Sequence, residues 1–167
     1  VMDGNAILFR SERYGMRSHA SWGSLQDAFL CFVNQDAYDK YRLSKEDYDL
    51  LKELEKEQEK LKKDADKKKD GKKDGKKDDA KKDEKKDIVV ELEGIQDRIV
   101  RLTPSSSRLG YSILDKKGEN LYFTGAYEKS MDLWKIDLRK KDMKQISKSV
   151  GVATFEMSAD GKTIFLF

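Results

Sequence analysis

One cysteine, one histidine and one proline are all that 167 residues contain of three residue types that often mark chemistry or rigid turns. The single cysteine excludes an internal disulfide and a thiolate metal cluster. Cys31 lies in the apolar run AFLCFV and reads as a small hydrophobe rather than a nucleophile. The single histidine, His19, sits in RYGMRSHASWG and reads as a loop residue. A catalytic triad would need a nucleophile and an orienting acid beside it, and plentiful serines and aspartates identify neither. There is no G-x-S-x-G elbow and no G-x-G-x-x-G, and the loop GKKDGKKD lacks the Ser or Thr that ends a phosphate-binding loop. Calcium-loop spacing is absent as well. No cofactor, metal site or catalytic residue is therefore expected. No apolar run reaches the length of a membrane span, and none is expected.

Charge of one sign is also scarce. Charged residues make up 40% of the chain, yet the formal net charge is only +3. From Lys45 to Asp87 there are 17 lysines against 16 acids, so nearly every lysine pair is answered by an acid. A sequence pI near 8.7 without an all-basic block does not point to nucleic acid, and no such partner is expected. Outside this stretch the composition suits a modest core.

What the chain does have is turn glycines followed by β-forming runs. MDGNAILFRS, KKGENLYFTG and ADGKTIFLF align on Gly4, Gly118 and Gly161, the last two 43 residues apart. Glycine accepts the positive φ of a tight hairpin, and a period near 43 falls in the range of propeller and solenoid repeats. LYFTG, DLWKIDL, MKQIS and VATFEMS read as four short strands per period, which suggests four-stranded antiparallel blades. NAILFRS and LQDAFLCFV read as earlier strands, YRLS as a possible hairpin partner, and DIVVELEGIQDRIVRLTP as two strands around Gly94. LGYSIL opens the complete repeat.

The expected fold is all-β, a fragment of a β-propeller built of four-stranded antiparallel blades, with one inserted helix and a disordered Lys/Asp-rich loop. Residues 1–44 carry the first strands and residues 45–87 the insert. Residues 88–167 carry the remaining blade strands, one complete repeat and the start of the next. Ser44 with Asp47 makes a capping signal, and Tyr48, Leu51, Leu54, Gln58 and Leu61 share a helical face, so a helix is expected from about Lys45 to Lys62. Asp64 to Asp87 has no apolar period and reads as a mobile loop, with a polyampholyte helix as the other reading. Val1 begins in mid-pattern, so the chain reads as a piece cut at one phase of a repeat. Its open sheet edges are then expected to favour self-association.

Tyr14, Met16, His19 and Trp22 cluster in the loop after the first strand and form the candidate peptide-contact surface. Trp134 reads as a packing aromatic. Asp3 and Asp160 read as caps of their own turns.

SERYGMRSHASWGSLQDAFLCFVNQDAYDKYRLSKED, then VVELEGIQDRIVRLTP after the lysine-rich gap, resembles the N-terminal propeller region of tricorn-protease-like serine peptidases, above all secreted bacterial members of the Bacteroides type. The repeat GENLYFTGAYEKSMDLWKIDL is similar to their blades. The resemblance covers nearly the whole chain except the lysine-rich loop. The more specific elements are Gln96 to Pro104 and Ser11 to Gly15. In that family, propellers precede a PDZ-like domain and a catalytic region with a serine nucleophile. The resemblance implies a non-catalytic portion that guides or gates peptide substrates or acts as scaffold. It also implies further blades and peptidase domains as partners, and a periplasmic or otherwise exported parent. A stand-alone propeller-like module that binds protein or glycan is the other reading.

Overall fold

In a computed structural model, the structure describes residues 1–17, 19, 23–69, 88–151, 154–158 and 160–167. The chain divides into two compact units, Val1–Tyr41 with Ile88–Phe167, and Arg42–Asp87.

The first unit is mostly antiparallel sheet. Strands β1 (Ala6–Ser11), β2 (Asp27–Phe32) and β3 (Ile99–Arg101) make a three-stranded sheet in the order β1-β2-β3. Strands β4 (Arg108–Leu114), β5 (Asn120–Ala126), β6 (Asp132–Asp137) and β7 (Asp142–Ser147) make a four-stranded sheet in chain order. Strands β8 (Phe155–Met157) and β9 (Ile164–Leu166) make a two-stranded sheet. Among the described residues no sheet closes on itself.

In the four- and two-stranded sheets sequential neighbours pair because short turns join them, and the turns that precede β1, β5 and β9 share one hydrogen-bond frame. The Gly118 N–H donates to Asp115 O at 3.0 Å and the Gly161 N–H to Ser158 O at 2.9 Å. The Gly4 N–H donates to Val1 O at 3.1 Å. All three glycines have positive φ, 89°, 70° and 71° in chain order, a conformation that a Cβ would strain. The sheets also share a register. Ala6 faces Phe32 and Ser11 faces Asp27 in the first sheet; Asn120 faces Asp137 and Gly125 faces Asp132 in the second. With the turns aligned, Asp27 and Asp132 occupy the same place.

The two larger sheets share one core. Ala6, Ala28, Leu30, Phe32 and Leu102 pack with Leu109, Leu114, Leu121, Phe123, Ile136 and Leu138. Strand alternation explains the set, since residues two apart share a face. Phe155 is fully buried beneath the Tyr111 ring, which meets it edge-on at 5.2 Å.

Three expectations need correction. The first unit contains a helix, α1 (Gln35–Arg42), where YRLS reads as strand, so there are two helices among the described residues rather than one. Asn34 caps α1 by accepting the Ala37 N–H at 2.9 Å. Tyr38 and Tyr41, one helical turn apart, set their rings 5.7 and 4.9 Å from Phe32. Burying two aromatics on one face outweighs their individual lean toward strand. Second, Ile88–Leu92 is not a ladder strand. Both edges of β2 are taken by β1 and β3. The segment is tied down instead by the Glu91 N–H to Val33 O at 2.8 Å and by buried Arg98. The Arg98 guanidinium donates to the carbonyls of Phe32, Glu91 and Glu93. Only Ile99–Arg101 of the expected pair is strand, preceded by a 3-10 turn over Ile95–Arg98. Third, VATFEMS does not complete the repeat begun at LYFTG. Its strand β8 pairs with β9, and the complete sheet is opened, as expected, by LGYSIL within Arg108–Leu114.

The second unit holds α2 (Lys45–Lys69). The expected cap is present: the Asp47 N–H donates to Ser44 Oγ at 3.1 Å and Ser44 Oγ to Asp47 Oδ2 at 2.7 Å. The helix runs past Lys62 into the charged stretch, so Asp64 to Lys69 is helical rather than loop. The remainder of that expected loop lies outside the described residues. Of the expected apolar face, Tyr48 is buried with Lys52 Nζ 4.3 Å from its ring centroid, while Leu54 and Leu61 are exposed.

Candidate functional site

The β1–β2 connection carries three of the four sequence-derived candidates at one end of the first sheet. Tyr14 is 59% and Met16 77% exposed, and His19 is exposed too. Trp22 lies outside the described residues.

The loop is anchored at its base. Met16 O accepts the Leu25 N–H at 3.1 Å, and Arg17 and Ser24 form an isolated bridge. Glu12 accepts from Arg17 Nη2 at 3.1 Å and from Ser24 Oγ. Gly15 has no room for a side chain, because a Cβ there would lie 1.7 Å from Leu25 O.

Tyr14 is positioned from below and from two sides. Its ring centroid lies 5.9 Å from that of Phe29, which itself stacks on Phe9 at 5.5 Å. The Arg101 and Arg13 guanidinium carbons lie 5.5 and 5.9 Å from the Tyr14 centroid, within cation–π range. The outcome is an exposed phenol and thioether set among arginines on a braced loop. Of the two arginines, Arg101 already donates to Asp27 and Ser106, and Arg13 carries planar donors at the surface.

Beneath this end lies a polar cluster that sequence reasoning missed. Asp27, at the start of β2, is 0% exposed. Its Oδ1 accepts from Arg101 Nη2 at 2.8 Å and from Thr103 Oγ1 at 2.7 Å, and its Oδ2 from Ser106 Oγ at 2.8 Å. The carboxylate thereby holds the β3–β4 connection against β2, helped by backbone bonds between Gln26 and Ser107 at 2.8 and 3.1 Å. Asp132 does the same work in the next sheet. It accepts from Ser130 Oγ, from Gln145 Nε2 on β7 and from the Ser149 N–H after β7, at 2.8, 2.7 and 2.8 Å. The Ser149 amide and the Ser130 hydroxyl hold its carboxyl below the ordinary aspartate range. The only available signal was an Asp opening both DAFLCF and DLWKID.

Close by, Tyr127 Oη and Ser107 Oγ are enclosed without a well-formed hydrogen bond. Burial pushes the Tyr127 phenol above its ordinary pKa, and the nearby Ser107 and Ser105 hydroxyls offset part of that rise. Tyr127 meets the Trp134 ring edge-on at 5.2 Å, and the Trp134 indole N–H donates to Gly125 O at 3.0 Å. Trp134 is thus half-buried packing with a satisfied polar end. At the opposite end of the sheets, Asp160 braces its own turn, accepting from Ser158 Oγ at 2.6 Å and from the Lys162 N–H at 3.1 Å.

Among the described residues no group of three or more His, Cys, Asp or Glu side chains is placed to hold a metal ion. A pocket of about 170 Å3 between β1 and β4 is lined by Leu8, Phe9, Arg10, Tyr111 and Ser112. It is smaller than the roughly 300 Å3 at which small-molecule sites begin. Among the described residues no helix is long and apolar enough to cross a membrane. Comparison of the chain with protein-family models, with curated proteins and with solved structures gave no match in any of the three.

Proposed function

We propose that this chain is a non-catalytic part of a β-propeller that receives extended peptides at the β1–β2 loop end, as the likeness to exported tricorn-like peptidases implies. Two features support the propeller reading. Consecutive meanders repeat the same turn, register and aspartate brace, and neighbouring sheets pack face on face in chain order. The observation that carries the peptide reading is the exposed Tyr14–Met16 surface, fixed by Phe29 and flanked by Arg13 and Arg101. Hydrolysis is assigned to none of its residues, and the role is to hold or guide a substrate chain for a serine peptidase.

The test is fluorescence anisotropy with two labelled unstructured peptides of equal length, one acidic and apolar, one basic. The acidic peptide is expected to bind more tightly and to remain uncleaved. A doubly substituted chain, Tyr14→Ala with Met16→Ser, is expected to weaken that binding by about tenfold, the equivalent of ~1.4 kcal/mol. Equal affinity in the substituted chain, or no binding of either peptide, would sink the reading.

A further inference from the structure

The two aspartate braces are equivalent in place but not in partner. Phe29 on β2 faces Arg101 on β3, and two residues before Phe29 the Asp27 carboxylate accepts from Arg101 Nη2 at 2.8 Å. Trp134 on β6 faces Gln145 on β7, and two residues before Trp134 the Asp132 carboxylate accepts from Gln145 Nε2 at 2.7 Å. Arg101 and Gln145 therefore hold the same position in their sheets and make the same bond. In each sheet an aromatic from the connection before that strand packs on the facing aromatic. Tyr14 meets Phe29 at 5.9 Å, and Tyr127 meets Trp134 at 5.2 Å.

A neutral amide thus suffices for the brace, and the guanidinium of the first sheet does something more. It reaches the loop as well: its carbon lies 5.5 Å from the Tyr14 ring centroid, while Nη2 is tied to Asp27 Oδ1 and, at 3.2 Å, to Ser106 Oγ. Arginine can do both at once, because its planar fork bonds a carboxylate through one edge and still meets an aromatic ring. Asp27 is wholly buried, so the guanidinium is held from a fixed point of β2.

We infer that Arg101 is a positioning residue for the peptide-contact surface. Anchored by Asp27, it orders the Tyr14 ring on Phe29 before any peptide arrives, so that binding costs less ordering of the loop. The inference rests on the peptide reading proposed above. It adds to that reading the residue, on β3 rather than in the loop, that sets how well the surface is preformed. Arg101 acts here through Tyr14 and does not itself have to touch the peptide.

The experiment follows the Tyr14 ring in the full chain by carbon NMR relaxation, its resonance assigned with Tyr14→Phe, and repeats the anisotropy titration with the labelled acidic peptide. Arg101→Gln copies the second sheet's brace onto the first. It is expected to fold, to raise the mobility of the Tyr14 ring in the free chain, and to weaken peptide binding roughly fivefold, the scale of one partly exposed cation–π contact. Raised salt separates this from the lost charge, since screening removes a long-range attraction and the fivefold loss is expected to remain. Asp132→Asn weakens the other brace and is expected to leave ring and affinity as in the parent. If circular dichroism shows that Arg101→Gln does not fold, Arg101→Lys replaces it with the same expectations, because it keeps a charge for Asp27 without the planar fork. An unchanged ring in Arg101→Gln, an equal loosening in Asp132→Asn, a parent-like affinity despite a loosened ring, or a loss that salt abolishes would each overturn the inference. A parent chain that binds no peptide sinks the peptide reading alone, and the ring measurement then decides whether Arg101 orders Tyr14.

Discussion

Two aspartates in equivalent places, both buried, do comparable work through different partners, and the partners separate their consequences. Asp27 is wholly enclosed, with Arg101, Thr103 and Ser106 donating to it. Removing one partner of a buried charged network leaves the others desolvated and unpaired, which typically costs 3–5 kcal/mol. Arg101 keeps partial access to water, with 32% of its side chain exposed, so the low end applies. Asp27→Ala is expected to lower the unfolding free energy by about 3 kcal/mol in urea titration. A loss under ~1 kcal/mol would show that the β3–β4 connection is held without it. Asp132 and Asp160 bear on pH instead. The hydrogen bonds to both hold their carboxyls below the ordinary value of 3.8. As the pH falls, the unfolded chain takes up these protons before the folded one does. Their contribution is thus complete above the ordinary aspartate pKa and is lost as the pH drops through the folded values. Asp132→Asn is expected to be less stable than the parent at neutral pH and to converge with it in strong acid. Parallel stability curves across that range would refute the assignment.

At the level of elements, what the sequence made legible was local and what it hid was not. Strands β1, β5 and β6 follow from alternating apolar residues between turn glycines, and those signals lie within a few residues of one another. The start of α2 was legible for the same reason, since Ser44 and Asp47 lie three residues apart in one capping motif. Its far end was not. The helix runs on past Leu61 into a stretch of lysine and aspartate, and apolar periodicity is blind to such a continuation. Helix α1 carried a readable signal in the Asn34 cap and the Tyr38–Tyr41 spacing, but single aromatics argue equally for strand. Whether VVEL pairs in a ladder depends on whether β2 has a free edge, which β3, far along the chain, decides. The candidate loop was legible as exposed aromatic and basic residues between strands. The Asp27 cluster was not, because its partners lie 74 to 79 residues away.

For the whole molecule, the question is how a sheet unit tolerates a long charged excursion between α1 and Ile88. Its two boundaries are secured by bonds internal to the first unit. Arg139 Nη1 donates to Tyr41 O at 2.6 Å and Arg139 Nη2 to Lys40 O at 3.2 Å, which fixes the end of α1. On the return side, Asn34 Nδ2 donates to Val89 O at 3.3 Å, and Glu91 Oε2 accepts the Gln35 N–H at 2.8 Å. The ends are therefore held whatever lies between them. Closure entropy grows only slowly with length, about 0.6 kcal/mol per doubling, so the excursion costs the sheets little and its removal should help slightly. Replacing Arg42–Asp87 with a short Gly-Ser linker is expected to leave β1–β9 folded, with a melting temperature equal to the parent's or a few degrees higher. Calorimetry reads the transition, and amide exchange on β5 and β6 reads the core strands. A noncooperative melt, or loss of protection at Leu121 and Phe123, would mean that the sheets depend on the charged segment and that the two units do not fold separately.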